Sequence, residues 1–112
     1  MKIELLCIDE CPNVDKTEIA ILKVLSSLDI AASVRKIVIR TPQEAAQYRF
    51  LGSPSIQING TDIEPSRRND SPVLGCRIYR ENQHASGTPS EELIRAAVQE
   101  AAARADIPNL PA

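Results

Sequence analysis

The N-terminal residues 2–8 form a nearly continuous apolar run, and this run constrains the fold more than any other feature of the sequence. Apolar side chains occupy both alternating sets of positions between Ile3 and Ile8, so a strand built from them has two apolar faces. Such a strand has to be covered on both sides, which places it in the interior of a sheet flanked by helices. The sequence therefore predicts an α/β protein organised around its first strand.

The remaining patterns extend this α/β order along the chain. Helical periodicity covers 12–28, 42–50 and 89–105, and strand patterns cover 33–40, 55–58 and 61–64. Asn59-Gly60 is a strong signal for a β-hairpin between the last two of these strands. Residues 65–75 and 81–87 are rich in turn formers and predict loops, with a short strand or sheet edge over 76–80. The predicted order is β-α-β-α-β-β-α.

Composition limits the size and the surroundings of this fold. A chain of 112 residues predicts one domain over 1–112, with a surface tail from about residue 106. The formal net charge is −2, aromatic residues make up 3%, and no dense Lys/Arg block occurs, so nucleic acid and anionic membranes are not expected as partners. The apolar N-terminal run is too short for a signal peptide or a membrane span, so a cytoplasmic protein is expected.

The side chains best suited to chemical reaction in this chain are three cysteines, Cys7, Cys11 and Cys76. An odd number excludes a fully paired disulfide framework within one chain and suits a reducing compartment. Cys7 belongs to the first strand, where a buried small hydrophobe is the ordinary interpretation. Cys76 follows Gly75, and an edge-strand residue or a thiol near the other two both fit its position.

Cys11 directly precedes Pro12 at the predicted start of the first helix. Two other helices begin with Thr-Pro-x-Glu, at residues 41–44 and 88–91, which is typical of a capping box. By analogy Cys11 is predicted to be an N-cap residue, where the helix dipole favours a thiolate. The alternative is that Asp9 or Glu10 helps to cap the helix and Cys11 is incidental. Acidic neighbours oppose a thiolate, so we expect a sluggish or reductant-like thiol.

The Cys-Pro helix start, the Ser53-Pro54 break before the third strand and the order of elements resemble the thioredoxin-like superfamily, particularly its glutaredoxin-sized members. The resemblance covers about residues 1–105. It implies a central mixed sheet flanked by helices, a cis bond between Ser53 and Pro54, and a loop beside the reactive sulfur. Pro12, Ser53 and Pro54 would then contact the substrate. Val14 occupies the position of the second cysteine of the family's redox motif.

The chain also looks like small bacterial proteins with a Cys-x-x-x-Cys-Pro start and a later Gly-Cys-Arg, which are sometimes grouped with alkylmercury lyases. No lyase active site maps onto this sequence. The resemblance to the thioredoxin-like superfamily implies a thiol–disulfide oxidoreductase in which Cys11 is the nucleophile and Cys7 or Cys76 resolves. Its partner would be a disulfide-containing protein or a small thiol.

A second function class stays open beside the enzyme. Three thiols also suit a non-catalytic module that binds a partner or a soft cation such as Zn²⁺, Cu⁺ or Hg²⁺. The spacings match no standard zinc signature, so no metal ligands are assigned and no cofactor is expected. His84 is expected to be solvated, and Arg67-Arg68 is either solvated or an anion contact.

Overall fold

The structure is a computed structural model that describes residues 1–105, so the tail expected from about residue 106 lies outside the described residues. The α-helices in this range are α1 (Val14–Ser27), α2 (Pro42–Tyr48) and α3 (Glu91–Ala105). The strands are β1 (Ile3–Cys7), β2 (Val34–Val38), β3 (Leu51–Ser53), β4 (Ser55–Ile58), β5 (Thr61–Asp62), β6 (Val73–Cys76), β7 (Tyr79–Glu81) and β8 (His84–Ser86).

Strand β1 lies inside a four-stranded mixed sheet with the order β2-β1-β4-β5. It pairs in parallel with β2, placing Leu5 opposite Lys36, and antiparallel with β4, placing Leu5 opposite Ile56. All five residues of β1 are buried, including Glu4. The α/β class and the interior position of the first strand are therefore confirmed.

Helices cover both faces of this sheet. On one face, Leu5 packs in a cluster with Ile21 of α1 and Val98 of α3. On the other face, Leu6 packs with Ala45 of α2 and Phe50. The consecutive residues Leu5 and Leu6 enter different cores because successive side chains of a strand point to opposite faces.

Helix α1 carries apolar residues beyond its buried face, since Ile19 and Leu22 are 53% and 50% exposed. The buried positions are Val14, Thr17, Ile21, Val24 and Leu25. This set follows the i, i+3, i+4 spacing of a single helix face, and Ile19 and Leu22 fall outside it.

Only one of the three expected helix starts has the predicted cap. Thr41 Oγ1 accepts a hydrogen bond from Glu44 N at 3.1 Å, as in a capping box. Helix α1 instead begins after Asn13, and Ser90 Oγ accepts from Leu93 N at 3.1 Å where α3 begins. Both helices thus begin two residues later than the prolines suggest, α3 with a side-chain cap from Ser90 and α1 without a side-chain cap from Asn13. The prediction that Cys11 is an N-cap residue is wrong.

Two small sheets lie where loops or a single edge strand were predicted. Strand β6 pairs in parallel with β3, and β7 and β8 form an antiparallel hairpin. The hairpin turn is made by Asn82 and Gln83, both with positive φ (50° and 68°), as a tight two-residue turn requires. The segment 65–75 also contains a 3-10 turn at Pro65–Arg67. Segments 65–75 and 81–87 are therefore more ordered than a loop.

Candidate functional site

The loop that follows β1 carries Cys11 towards the C-terminal ends of the parallel strands. Ile8 N donates to Ser53 Oγ at 3.1 Å, and Arg40 Nε lies 3.1 Å from Asp9 Oδ2. Cys11 is half-buried against the core, whereas Pro12 is exposed. The loop is thus tied to the Ser53-Pro54 segment at its beginning and leaves the Cys11 sulfur partly accessible.

Cys7 is the last residue of β1 and lies beneath this loop. Its thiol is 3% exposed and donates to the carbonyl of Ile37, with an S···O distance of 3.7 Å. Burial raises the pKa of the Cys7 thiol, and the neighbouring Cys11 raises it further; Lys36 opposes this rise, and Asp9 adds the smallest increase. Cys7 is therefore held as a neutral thiol close enough to Cys11 for their charges to interact.

Cys76 lies at the opposite side of the Ser53-Pro54 segment. It is exposed at the end of β6, and its Cα is the register partner of Ser53. Cys7, Cys11 and Cys76 are all free thiols within residues 1–105. The structure thus brings Cys7 and Cys11 together and places Cys76 beside Ser53.

The Ser53–Pro54 peptide bond is cis, as expected. Both residues are buried, and both carbonyl groups already have partners within the chain. Ser53 O accepts from Arg77 N at 3.0 Å, and Pro54 O accepts from the Tyr79 hydroxyl at 2.6 Å. The carbonyl of Ser53 is thus occupied by the segment that follows β6.

Arg77 is the centre of a buried ionic network that the sequence did not reveal. Its guanidinium makes two hydrogen bonds of 2.8 Å to Asp62, one of 2.8 Å to Glu64 and one of 2.9 Å to Ser55 Oγ. It also lies 4.4 Å from the ring centroid of Tyr79. Burial alone would lower the pKa of Arg77, but the bonds to Asp62 and Glu64 raise it above its usual range. Arg77 also donates its backbone N–H to Ser53 O, so the network connects the Ser53-Pro54 segment to the chain that follows β6.

Sequence patterns gave little chance of finding this network. Arg77 was visible only as part of Gly-Cys-Arg, and an arginine near a sheet edge usually points to solvent. Its partners Asp62 and Glu64 lie 15 and 13 residues earlier. An acid pair directly after Asn59-Gly60 is the one local signal, and it is equally typical of an exposed hairpin.

Within the described part of the chain, no group of three or more His, Cys, Asp or Glu side chains is placed to hold a metal ion. His84 is exposed on β8, as predicted. Arg67 is paired with Asp70 at 2.9 Å, and Arg68 with Glu100 at 3.5 Å, so both guanidinium groups already contact acids of the same chain.

A groove of about 320 Å³ opens at the C-terminal ends of β1 and β2. Its lining comes from the residues that follow these strands and from β6: Ile8, Asp9, Ile39, Arg40, Leu74 and Gly75. Ligands of open α/β sheets commonly bind at the C-terminal ends of parallel strands. The lining includes none of the three cysteines, and Ile8 and Ile39 pack in the cluster of α2, whereas Cys7 and Cys11 belong to the cluster of α1 and α3.

Comparisons with protein-family models, curated proteins and solved structures find no match to the chain. Among the helices of residues 1–105, none is long and apolar enough to cross a membrane.

The raised pKa of Cys7 predicts a pH-dependent contribution to stability. Because the pKa is higher in the folded state, the contribution is fully present below the ordinary thiol pKa of about 8.5 and is lost as the pH rises through the folded value. The wild-type protein should therefore lose more stability between about pH 8 and pH 10 than Cys7→Ser, which has no thiol to ionise there. Urea denaturation at several pH values measures the difference, with the exposed Cys76→Ser as the matched control. Equal pH profiles for the wild type and Cys7→Ser would contradict the prediction.

Proposed function

We propose that this protein is a thioredoxin-like thiol–disulfide oxidoreductase in which Cys11 attacks and Cys7 resolves. The observation that carries the proposal is the position of a half-buried Cys11 against the core cluster that contains the buried Cys7. A thiolate attacks disulfides, so the accessible sulfur is suited to the first step and the buried sulfur to the second.

The architecture supports the thioredoxin-like assignment. The first three strands of the four-stranded sheet alternate with helices, and the β4-β5 hairpin adds the antiparallel edge. Helices lie on both faces, and the cis Ser53–Pro54 bond precedes β4 at the level of the β1–α1 loop. These are the features that the resemblance in the sequence led us to expect.

The proposed reaction moves two electrons from the dithiol to the substrate disulfide. The Cys11 thiolate attacks one sulfur of the substrate, forming a mixed disulfide and releasing the other half as a thiolate. Cys7 then attacks the Cys11 sulfur, its proton passing to solvent or to the departing thiolate. A Cys7–Cys11 disulfide forms, and the second half of the substrate leaves as a thiol. A cellular thiol reductant would regenerate the dithiol.

Cys76 is the alternative resolving thiol. Its position opposite Ser53 favours this role, and its exposure favours easy access to a mixed disulfide. Cys7 belongs to the core cluster against which Cys11 packs, and Cys76 does not. For this reason we assign the resolving step to Cys7.

Competitive alkylation tests whether Cys11 is an activated thiol. The reduced protein is treated at neutral pH with a small excess of iodoacetamide, and adducts are quantified over time by peptide mass spectrometry. Accessibility alone would make the exposed Cys76 react first and the buried Cys7 last. The proposal expects Cys11 to react faster than Cys76 despite its lower exposure. Reaction of Cys76 ahead of Cys11 would show that solvent exposure, and not activation of the Cys11 thiol, determines the reaction rates.

The second candidate is a non-catalytic site for a soft cation. It is favoured by the same proximity of Cys7 and Cys11, because thiolate pairs prefer Cu⁺ and similar soft ions. A protein that reduces no disulfide but loses Cu⁺ uptake in Cys11→Ser would belong to this class. Reduction of a small disulfide that depends on Cys11 would favour the oxidoreductase.

A further inference from the structure

We propose that the groove at the C-terminal ends of β1 and β2 binds a free α-amino acid with a bulky apolar side chain. Asp9 would hold the ammonium group of this ligand, and Arg40 would hold its carboxylate. The inference goes beyond the proposed thiol function, because the lining of the groove contains none of the three cysteines. It is supported by an apolar wall and a pair of opposite charges that line the same groove.

The apolar wall of the groove gives a ligand side chain both space and burial. Ile8, Ile39 and Leu74 supply this wall. Ile39 belongs to the core cluster of α2 and Ile8 packs against it, whereas Leu74 is 41% exposed although it is a large hydrophobic residue. A volume of about 320 Å³ is at the small end of ligand pockets and suits one aliphatic or aromatic group. Binding would remove apolar surface of both the ligand and Leu74 from water.

Asp9 and Arg40 are the charged residues of the lining, and both side chains are mostly exposed. Arg40 donates from Nε to Asp9 Oδ2 at 3.1 Å and from Nη2 to Asp9 Oδ1 at 3.5 Å. A guanidinium has further N–H donors and a carboxylate has further lone pairs, so each group can bind a ligand without giving up its partner. Glu44 also lies close to Arg40, but it is not part of the lining and its carboxylate accepts from Arg40 N.

The spacing of these two charges matches that of an α-amino acid. Bond geometry places the ammonium nitrogen of such a ligand about 2.5 Å from its carboxylate carbon, close to the 3.1 Å between Arg40 Nε and Asp9 Oδ2. The ligand carboxylate can then face the guanidinium while its ammonium group faces Asp9, so that the four charges alternate in sign. A ligand with a single charge would gain one attraction and one repulsion from the same pair. The terminal charges of a peptide are separated by at least one further residue and do not fit this spacing.

Matched small ligands test the inference by NMR. Isotopically labelled protein is titrated with L-phenylalanine, with 3-phenylpropionate (no ammonium group), with 2-phenylethylamine (no carboxylate) and with L-serine (no apolar group). Backbone amide shifts of Ile39, Arg40, Leu74 and Gly75 report binding at the groove. Phenylalanine should bind about threefold more tightly than either ligand with a single charge, as expected for one exposed ion pair. It should bind at least about tenfold more tightly than serine, the usual effect of an apolar group in a fitting pocket.

Variants assign each part of the ligand to one residue. Asp9→Asn should abolish the advantage of phenylalanine over 3-phenylpropionate, and Arg40→Gln should abolish its advantage over 2-phenylethylamine. Leu74→Ser removes an apolar wall and should weaken phenylalanine binding about tenfold. Val73→Ser is the matched control, because this neighbouring side chain is 49% exposed and is not part of the lining. All four positions are exposed, so the substitutions should leave folding intact.

Three results would overturn the inference. The first is an absence of shifts at the groove amides up to the solubility limit of phenylalanine. The second is equal binding of phenylalanine and the ligands with a single charge by the wild type, and the third is undiminished binding of phenylalanine by Leu74→Ser. Cys11→Ser should bind phenylalanine as the wild type does, so the outcome at the groove is independent of whether Cys11 reduces disulfides.

Discussion

Replacing Arg77 with Met is expected to lower the free energy of unfolding by about 3–5 kcal/mol. The guanidinium is fully buried, and it compensates the carboxylates of Asp62 and Glu64, whose side chains are 5% and 12% exposed. Met fills a similar volume but leaves Asp62 without the guanidinium that pairs with it, and leaves Glu64 with only Arg67 Nη1, at 3.9 Å. An uncompensated buried charge costs far more than the loss of an ion pair at the surface.

Urea denaturation measures this loss, and Arg40→Met provides the matched control. The Arg40–Asp9 pair has the same chemistry but exposed partners (64% and 61%), so its loss should change the free energy of unfolding by only about 0–1 kcal/mol. Arg77→Lys should also be destabilising, because an ammonium group does not reproduce the paired hydrogen bonds to Asp62. A cost below about 1 kcal/mol for Arg77→Met would contradict the ionic role of the network.

A triple variant separates the charge effect from the packing effect. Adding Asp62→Asn and Glu64→Gln to Arg77→Met removes the buried charges that the single change leaves behind. If uncompensated charge dominates, the triple variant should be more stable than Arg77→Met alone. If it is less stable, the network contributes mainly through its hydrogen bonds, and the carboxylates are satisfied by other partners after Arg77 is lost.

Local sequence signals predicted the centre of the fold well. The apolar run of residues 2–8 is sufficient to predict a buried central strand, because a strand with apolar side chains on both faces is stable only when both faces are covered. Asn59-Gly60 and the Thr41 capping box also depend on a few neighbouring residues, and both occur in the structure. Each of these predictions concerns an element whose stability depends mainly on residues within one turn or one strand.

Non-local pairing explains what the sequence did not reveal. Strand β6 is exposed along most of its length and pairs with β3, more than twenty residues earlier. The buried role of Arg77 likewise depends on Asp62 and Glu64 reaching it from another hairpin. The start of α3 differs from expectation for a local reason, since Thr88 and Ser90 are both favoured cap residues and Pro89 does not decide between them.

The same distinction applies to the thiol site. Cys11 was identified from the strand–Cys–Pro order, and the structure keeps it at the end of β1 although it lies outside the helix. The close relation between Cys7 and Cys11 required the folded loop, because four residues of chain permit many separations. Since Cys11 lies two residues before the N-cap, its reactivity would depend less on the helix dipole than the sequence suggested.

Cys7→Ser is expected to stop the proposed reaction at the mixed disulfide on Cys11. The reduced protein is freed of reductant and given one equivalent of a chromogenic nitrothiobenzoate disulfide. In the wild type both halves of the substrate are released as thiols, because Cys7 displaces the second half. In Cys7→Ser only the first half is released, and intact-mass spectrometry detects the other half bound to Cys11. The serine hydroxyl retains a donor for the Ile37 carbonyl, so the variant keeps the buried hydrogen bond of Cys7.

Two single variants make the result specific. Cys76→Ser should release both halves of the substrate as the wild type does, and Cys11→Ser should release at most the first half, by reaction at the exposed Cys76. The opposite pattern, with the adduct retained in Cys76→Ser and resolved in Cys7→Ser, would assign the resolving step to the thiol beside Ser53. An adduct retained equally by the wild type and by Cys7→Ser would mean that neither internal thiol resolves it. Cys11 would then act with an external thiol, and the burial of Cys7 would serve the core alone.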